Sequence, residues 1–183
     1  MAIYRTLKLL AVVALLPCAA AFTQTAPASS LLQLSPAFRE LARASGYIFI
    51  GTVTSVLPGR LLNTIATVDV TFRVEKAYRG VRRGQALTIH QWSALWNSGQ
   101  RYKPGERVLL FLYPQSRLGL TSIVGEPAGR IRISASQFIF SPSQYATWFK
   151  PMSPSIDRPQ LPEQRVGARQ ISDAVLRASR ELQ

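Results

Sequence analysis

From Ala66 to Glu75 the chain alternates residue by residue. Ala66, Val68, Val70, Phe72 and Val74 fall on one face, and Thr67, Asp69, Thr71, Arg73 and Glu75 on the other. Successive side chains of an extended chain point to opposite sides, so this period of two predicts a half-buried β-strand over Ala66–Lys76. The other predicted strands are arranged around it. Tyr47-Ile48-Phe49-Ile50 is apolar at every position, which predicts a strand end buried on both faces. That strand runs on to Val56, with a bulge or bend at Gly51, and Leu57-Pro58-Gly59-Arg60 reads as its turn. Ala86–Trp92 is the next strand, with Leu87, Ile89 and Gln91 opposite Ala86, Thr88, His90 and Trp92. Lys103-Pro104-Gly105-Glu106 fits a type II turn, with proline second and glycine third. It leads into Arg107–Tyr113, the most apolar run after residue 21, which Pro114 closes. Leu120–Val124, Gly129–Ser134 and Gln137–Phe140 add shorter strands.

Helical spacing occurs only at the flanks. Ser35-Pro36 supplies a cap and a proline suited to a first helical position, and Phe38, Leu41 and Ala42 then form one stripe, with Arg39, Glu40 and Arg43 outside it. Gly46 ends that helix. Ser141-Pro142-Ser143 opens a short helix through Tyr145, Trp148 and Phe149. A stretch with Pro151, Pro154, Pro159 and Pro162 follows. The last helix runs to about Leu182, from Glu163 or, if Gly167 breaks it, from Ala168, with Ile171, Ala174, Val175, Ala178 and Leu182 at helical spacing. Several uneven strands with short turns predict a mainly β fold: a small antiparallel OB-like barrel with a short N-terminal helix and a C-terminal helix, a sandwich being the second choice. The expected organisation is residues 1–21 signal peptide, 22–34 flexible leader, 35–141 barrel domain with its N-terminal helix, and 142–183 proline-rich segment and C-terminal helix.

Composition narrows the setting. The chain has 183 residues, 47% of them hydrophobic, enough for one well-buried core. Arg5 and Lys8 precede the apolar run Leu9–Leu16, and Ala19-Ala20-Ala21 offers a cleavage site before Phe22, the order of a secretory signal peptide. A secreted or periplasmic destination follows, without stable membrane insertion after cleavage. Cys18 is the single cysteine, and Leu16 and Pro17 depart from a lipoprotein pattern, so the exported chain is expected to carry neither thiol nor disulfide. The formal net charge is +13, from 22 Lys and Arg against 9 acidic residues. Such a surface raises affinity for anionic polymers, although here the charges are spread along the chain.

Ile48-Phe49-Ile50-Gly51-Thr52-Val53, the run Val70–Gly80 ending in Tyr78-Arg79-Gly80, and Tyr102–Leu112 together resemble a set of secreted bacterial proteins. Those are similar to the netrin-like domain of tissue inhibitors of metalloproteinases, an OB-fold. The resemblance covers residues 47 to 134 and implies the barrel. It also brings inhibition of a hydrolase into view, but that family's zinc-chelating N-terminal cysteine and its disulfides have no counterpart here.

Candidate chemistry is sparse. His90 is the only histidine, and the carboxylates form no D-x-D or H-E-x-x-H grouping, so neither a metal, a cofactor nor an enzyme is expected. Glu75 is expected to pair with Arg73 on its own strand face. The constellation with binding content is aromatic and basic: Trp92, Trp96, Arg101 and Tyr102, with Arg79, Arg82 and Arg83 on the preceding loop. The sequence therefore predicts a secreted, non-enzymatic binding module for a protein or envelope partner. Binding of a polyanion or nucleic acid, or hydrolase inhibition without a cysteine, are its alternatives.

Overall fold

The computed structural model describes residues 33–62, 64–97, 100–150 and 163–181. The expected signal peptide, Cys18, the leader up to residue 32, the 151–162 proline stretch and Leu182 lie outside the described residues. Helix α1 spans Pro36–Ala44, with the Ser35 hydroxyl accepting from the Phe38 amide at 3.0 Å and Phe38, Leu41 and Ala42 buried, as their spacing predicts. Strands β1 (Tyr47–Leu62), β2 (Ile65–Arg79) and β3 (Ala86–Trp92) follow, then the one-turn helix α2 (Ala94–Asn97) and β4 (Arg107–Leu112). Next come β5 (Arg130–Ser134), β6 (Gln137–Phe140), helix α3 (Pro142–Trp148), β7 (Gln164–Gly167) and helix α4 (Ala168–Arg180). The turn before β4 forms as expected, with Gly105 at φ +82° and the Glu106 amide donating to Lys103 O at 3.0 Å.

The strands make one seven-stranded sheet in the order β3-β2-β1-β4-β5-β6-β7, each neighbour antiparallel. Both faces of its centre are apolar, because β1 and β4 alternate between two buried clusters. Ile48, Ile50, Leu109 and Phe111 join one, and Phe49, Val53, Val108, Leu110 and Leu112 the other. The first cluster continues across β5, β6 and β7 and lies under α1, α3 and α4. Trp148 of α3 is its centre: fully buried, it lies 4.5 Å from the Phe38 ring, 5.2 Å from Phe140 and 5.4 Å from Phe111. The stripe of α4 packs here too, and the Tyr78 hydroxyl meets Ser172 Oγ at 3.1 Å. The second cluster is closed by β2 and β3, through Val70, Phe72, Val74 and Ile89, and by Tyr102 and Ile123.

Three expectations are corrected. The sheet is not closed into a barrel: its ladders run from β3 at one edge to β7 at the other. The Leu120–Val124 segment, which would complete the circuit, makes two isolated bridges instead of a strand: Leu120 with His90, parallel, and Ile123 with Leu112, antiparallel. It is kept short by Pro114 on one side and by turns at Gly119 and Gly125, both with positive φ. The turn expected at Leu57–Arg60 is part of β1, which pairs with β2 out to Leu62 and Ile65, absorbing Pro58-Gly59 as a register irregularity. Ahead of α4, Gly167 ends a short strand at the sheet edge, where a helix from Glu163 was the alternative. Among the described residues no helix is long and apolar enough to cross a membrane.

Candidate functional site

The outer face of the β2–β3 ladder carries the polar residues of the alternating pattern. Thr67 pairs across the ladder with Trp92, Asp69 with His90, and Thr71 with Thr88. Two of these register pairs touch through side chains: Asp69 Oδ1 lies 2.6 Å from His90 Nδ1, and the hydroxyls of Thr71 and Thr88 are 3.0 Å apart. Asp69 therefore orients the imidazole through Nδ1, leaving Nε2 as the ring atom able to meet a ligand.

Two segments border this face. The far part of β1 pairs alongside β2, with Arg60 O accepting from Thr67 Oγ1 at 2.6 Å. A Cβ at Gly59 would lie 2.5 Å from Asp69 Oδ1, so only glycine permits that approach. On the other side the chain from Tyr113 to Leu120 is pinned to β3, with the Thr121 amide donating to His90 O at 3.0 Å and the Thr121 hydroxyl to Tyr113 O at 2.6 Å. Between them is a cavity of about 300 Å³ lined by Arg60, Leu62, Thr67, His90, Gln115, Leu118 and Gly119. The large apolar side chains most exposed among the described residues are Leu57 (59%), Leu61 (70%), Trp92 (50%), Tyr113 (42%) and Leu118 (47%). All five come from the elements that frame this groove.

The residues singled out from sequence do not form one site. Arg79 is structural: its Nη1 donates to Ala42 O at 2.9 Å and Ser45 O at 3.1 Å, fastening the end of β2 to the end of α1. Arg82 and Arg83 are exposed on the β2–β3 loop, at the opposite end of β3 from Trp92. Trp92 belongs to the groove end. Trp96, Arg101 and Tyr102 lie together elsewhere, with Arg101 Nε donating to Trp96 O at 3.1 Å and Tyr102 buried in the second cluster. Burial pushes the Tyr102 hydroxyl well above the usual tyrosine range, against the opposing charge of Arg130.

Sequence reasoning missed Asp69, Arg60, Gln115 and Leu118. The alternation placed Asp69 and His90 on outward faces, but their contact depends on the β2–β3 register, which neither strand specifies alone. Glu75 also has a different principal partner from Arg73: it accepts from Thr52 Oγ1 at 2.5 Å and from Arg107 Nε at 2.6 Å. Burial raises its pKa, but these two bonds and the charges of Arg107 and Arg73 outweigh that and hold it below the usual value. Among the described residues no group of three His, Cys, Asp or Glu is placed to hold a metal ion. Compared with models of known protein families, with curated proteins and with solved structures, the chain matches none.

Proposed function

We propose that the chain is an exported, non-catalytic binding module that holds a protein partner in the groove between the β1–β2 hairpin, β3 and the 113–119 loop. In this reading β1 to β4, with Leu120–Ile123 as a reduced closing strand, form an OB-like unit. Support comes from the circuit itself: β3-β2-β1-β4, then a segment bridged antiparallel to Leu112 and parallel to His90. Small barrels of that kind bind ligands on the face of their second and third strands and with the flanking loops. Those are the elements that frame the groove here.

The observation that carries the reading is that the exposed large apolar side chains Leu57, Leu61, Trp92, Tyr113 and Leu118 all lie on the elements that frame one cavity, which Leu118 itself lines. Such exposed apolar side chains, with Arg60, Gln115 and His90 lining the cavity between them, suit a protein interface: aromatic anchor, aliphatic surround and few charges. Photo-crosslinkers placed at Trp92, Leu118 and, as a control, Arg82 test it in the native envelope fraction. The same discrete adduct from Trp92 and Leu118, absent from Arg82, is the expected result. No adduct from the first two, or an identical pattern from all three, would overturn the reading.

A further inference from the structure

Away from the groove, seven buried side-chain nitrogen and oxygen atoms lack a hydrogen-bond partner among the described residues, and all belong to Gln91, Trp96, Gln100, Tyr102 and Arg130. These residues are linked. The Tyr102 hydroxyl lies beside the Gln91 side chain without a bond of normal geometry, and Arg130 Cζ stacks 4.4 Å above the Tyr102 ring centre. The Gln100 backbone N–H donates at 3.0 Å to Leu95 O in α2, the helix that carries Trp96. Buried polar groups are ordinarily satisfied, so this concentration sets the region around Tyr102 and Arg130 apart from the rest of the core.

Arg130 is also one wall of a cavity of about 450 Å³, whose other lining residues are Arg101, Lys103, Glu106 and Arg132. Local sequence accounts for the charge. Ile131 and Ile133 of β5 enter the helix-covered cluster, so Arg130 and Arg132 project from the opposite face toward the Lys103–Glu106 turn. The single carboxylate is already committed: Glu106 accepts from Arg130 Nη2 at 2.6 and 2.8 Å and from the Lys103 amide at 3.2 Å. Arg132 meets Glu163 at 2.6 Å, but both side chains are more than half exposed, so water and ions compete for that pair. Among the described residues neither Arg101 nor Lys103 has a carboxylate partner.

We propose that this pocket binds a sulfate or phosphate ester on a sugar-sized molecule. Four cations surround one saturated carboxylate, and a tetrahedral oxyanion offers several acceptor oxygens to guanidinium and ammonium donors at once. Arg130 is oriented in advance, by Glu106 on one side and by the Tyr102 ring beneath it. The volume lies within the range of small-molecule sites.

Calorimetric titration and thermal melting of the full-length protein test this, with ionic strength held constant by chloride. The probes are inorganic sulfate, inorganic phosphate, glucose 6-sulfate and glucose 6-phosphate. The oxyanions should raise the melting midpoint beyond chloride, with a sugar ester binding at least about tenfold tighter than its free ion. The ester preferred identifies the source. Arg101→Ala combined with Lys103→Ala removes two exposed side chains and should weaken the preferred ester at least about tenfold while leaving the midpoint in chloride unchanged. If that double variant melts early, Arg132→Gln replaces it, with the same loss expected. Arg82→Ala with Arg83→Ala, and Trp92→Ala in the groove, should leave the affinity within about twofold. Equal effects of oxyanion and chloride, unchanged affinity in the pocket variants, or an equal loss in the Arg82 and Arg83 variant would overturn the site.

Discussion

Glu75 shows how little of a single residue's behaviour its neighbours in sequence decide. It belongs to the polar face of β2, two positions from Arg73, yet its carboxylate is held by Thr52 of β1 and Arg107 of β4, both reached across the sheet. Those contacts depress its pKa, so the folded state binds its proton less readily than the unfolded chain. The associated stability is present above the unfolded value, near 4.5, and is lost as pH falls through the lowered folded value. Both side chains of the ion pair are partly exposed, so the effect after screening is less than about 1 kcal/mol. Comparing urea unfolding of the protein with that of Glu75→Gln from pH 7 to pH 3 should show the difference in stability shrinking on acidification. A difference independent of pH would mean that the carboxylate contributes only as a hydrogen-bond acceptor. The same dependence on register explains why the Asp69–His90 contact was not legible, although each residue's face was.

At the scale of elements, patterning succeeded where one segment carries its own periodicity. The caps of α1 and α3, the double-faced start of β1, the alternation of β2 and β3 and the apolar run of β4 are each set by local side chains. It failed where an element exists only because a neighbour pairs with it. β7 is four residues with one buried side chain, Val166, and is a strand because β6 lies alongside. Pro58-Gly59 has the chemistry of a turn, but β2 holds β1 extended through it. α3 represents the first class and makes a sharp test. Its last residue, Trp148, fills the space between Phe38, Phe111 and Phe140 and donates through Nε1 to Ala128 O at 2.8 Å. Trp148→Ala should destabilise by about 3–5 kcal/mol, because the cavity is walled by two helices and a sheet that cannot all collapse into it. Denaturant midpoints measure this. A loss below about 1 kcal/mol would mean that α3 does not anchor the helical layer in solution.

For the whole molecule, the decisive feature is that one sheet serves two cores of different construction. The helix-covered core is bounded by continuous ladders and by α1, α3 and α4, whereas the core behind β2 and β3 is completed by the Leu120–Ile123 segment through single bridges. Opening those bridges requires release of one loop, but exposing Ile50 or Leu110 requires separation of central strands, so the two events differ widely in free energy. Native-state hydrogen exchange should therefore find the Thr121 amide, bonded to His90 O, exchanging much faster than the amides of Ile50 and Leu110, yet slower than an unbonded loop amide. Equal protection of Thr121 and the central strands would mean that the segment opens only with the whole fold; no protection would mean that the bridge is not maintained in solution. Because the same loop forms a wall of the groove, a partner seated there must hold the bridge shut. Protection at Thr121 should then rise on binding while Ile50, already governed by global opening, changes only as far as overall stability does. An oxyanion in the Arg101–Arg132 pocket touches neither the loop nor His90, so it should leave Thr121 exchange as it was, separating the two sites by one measurement.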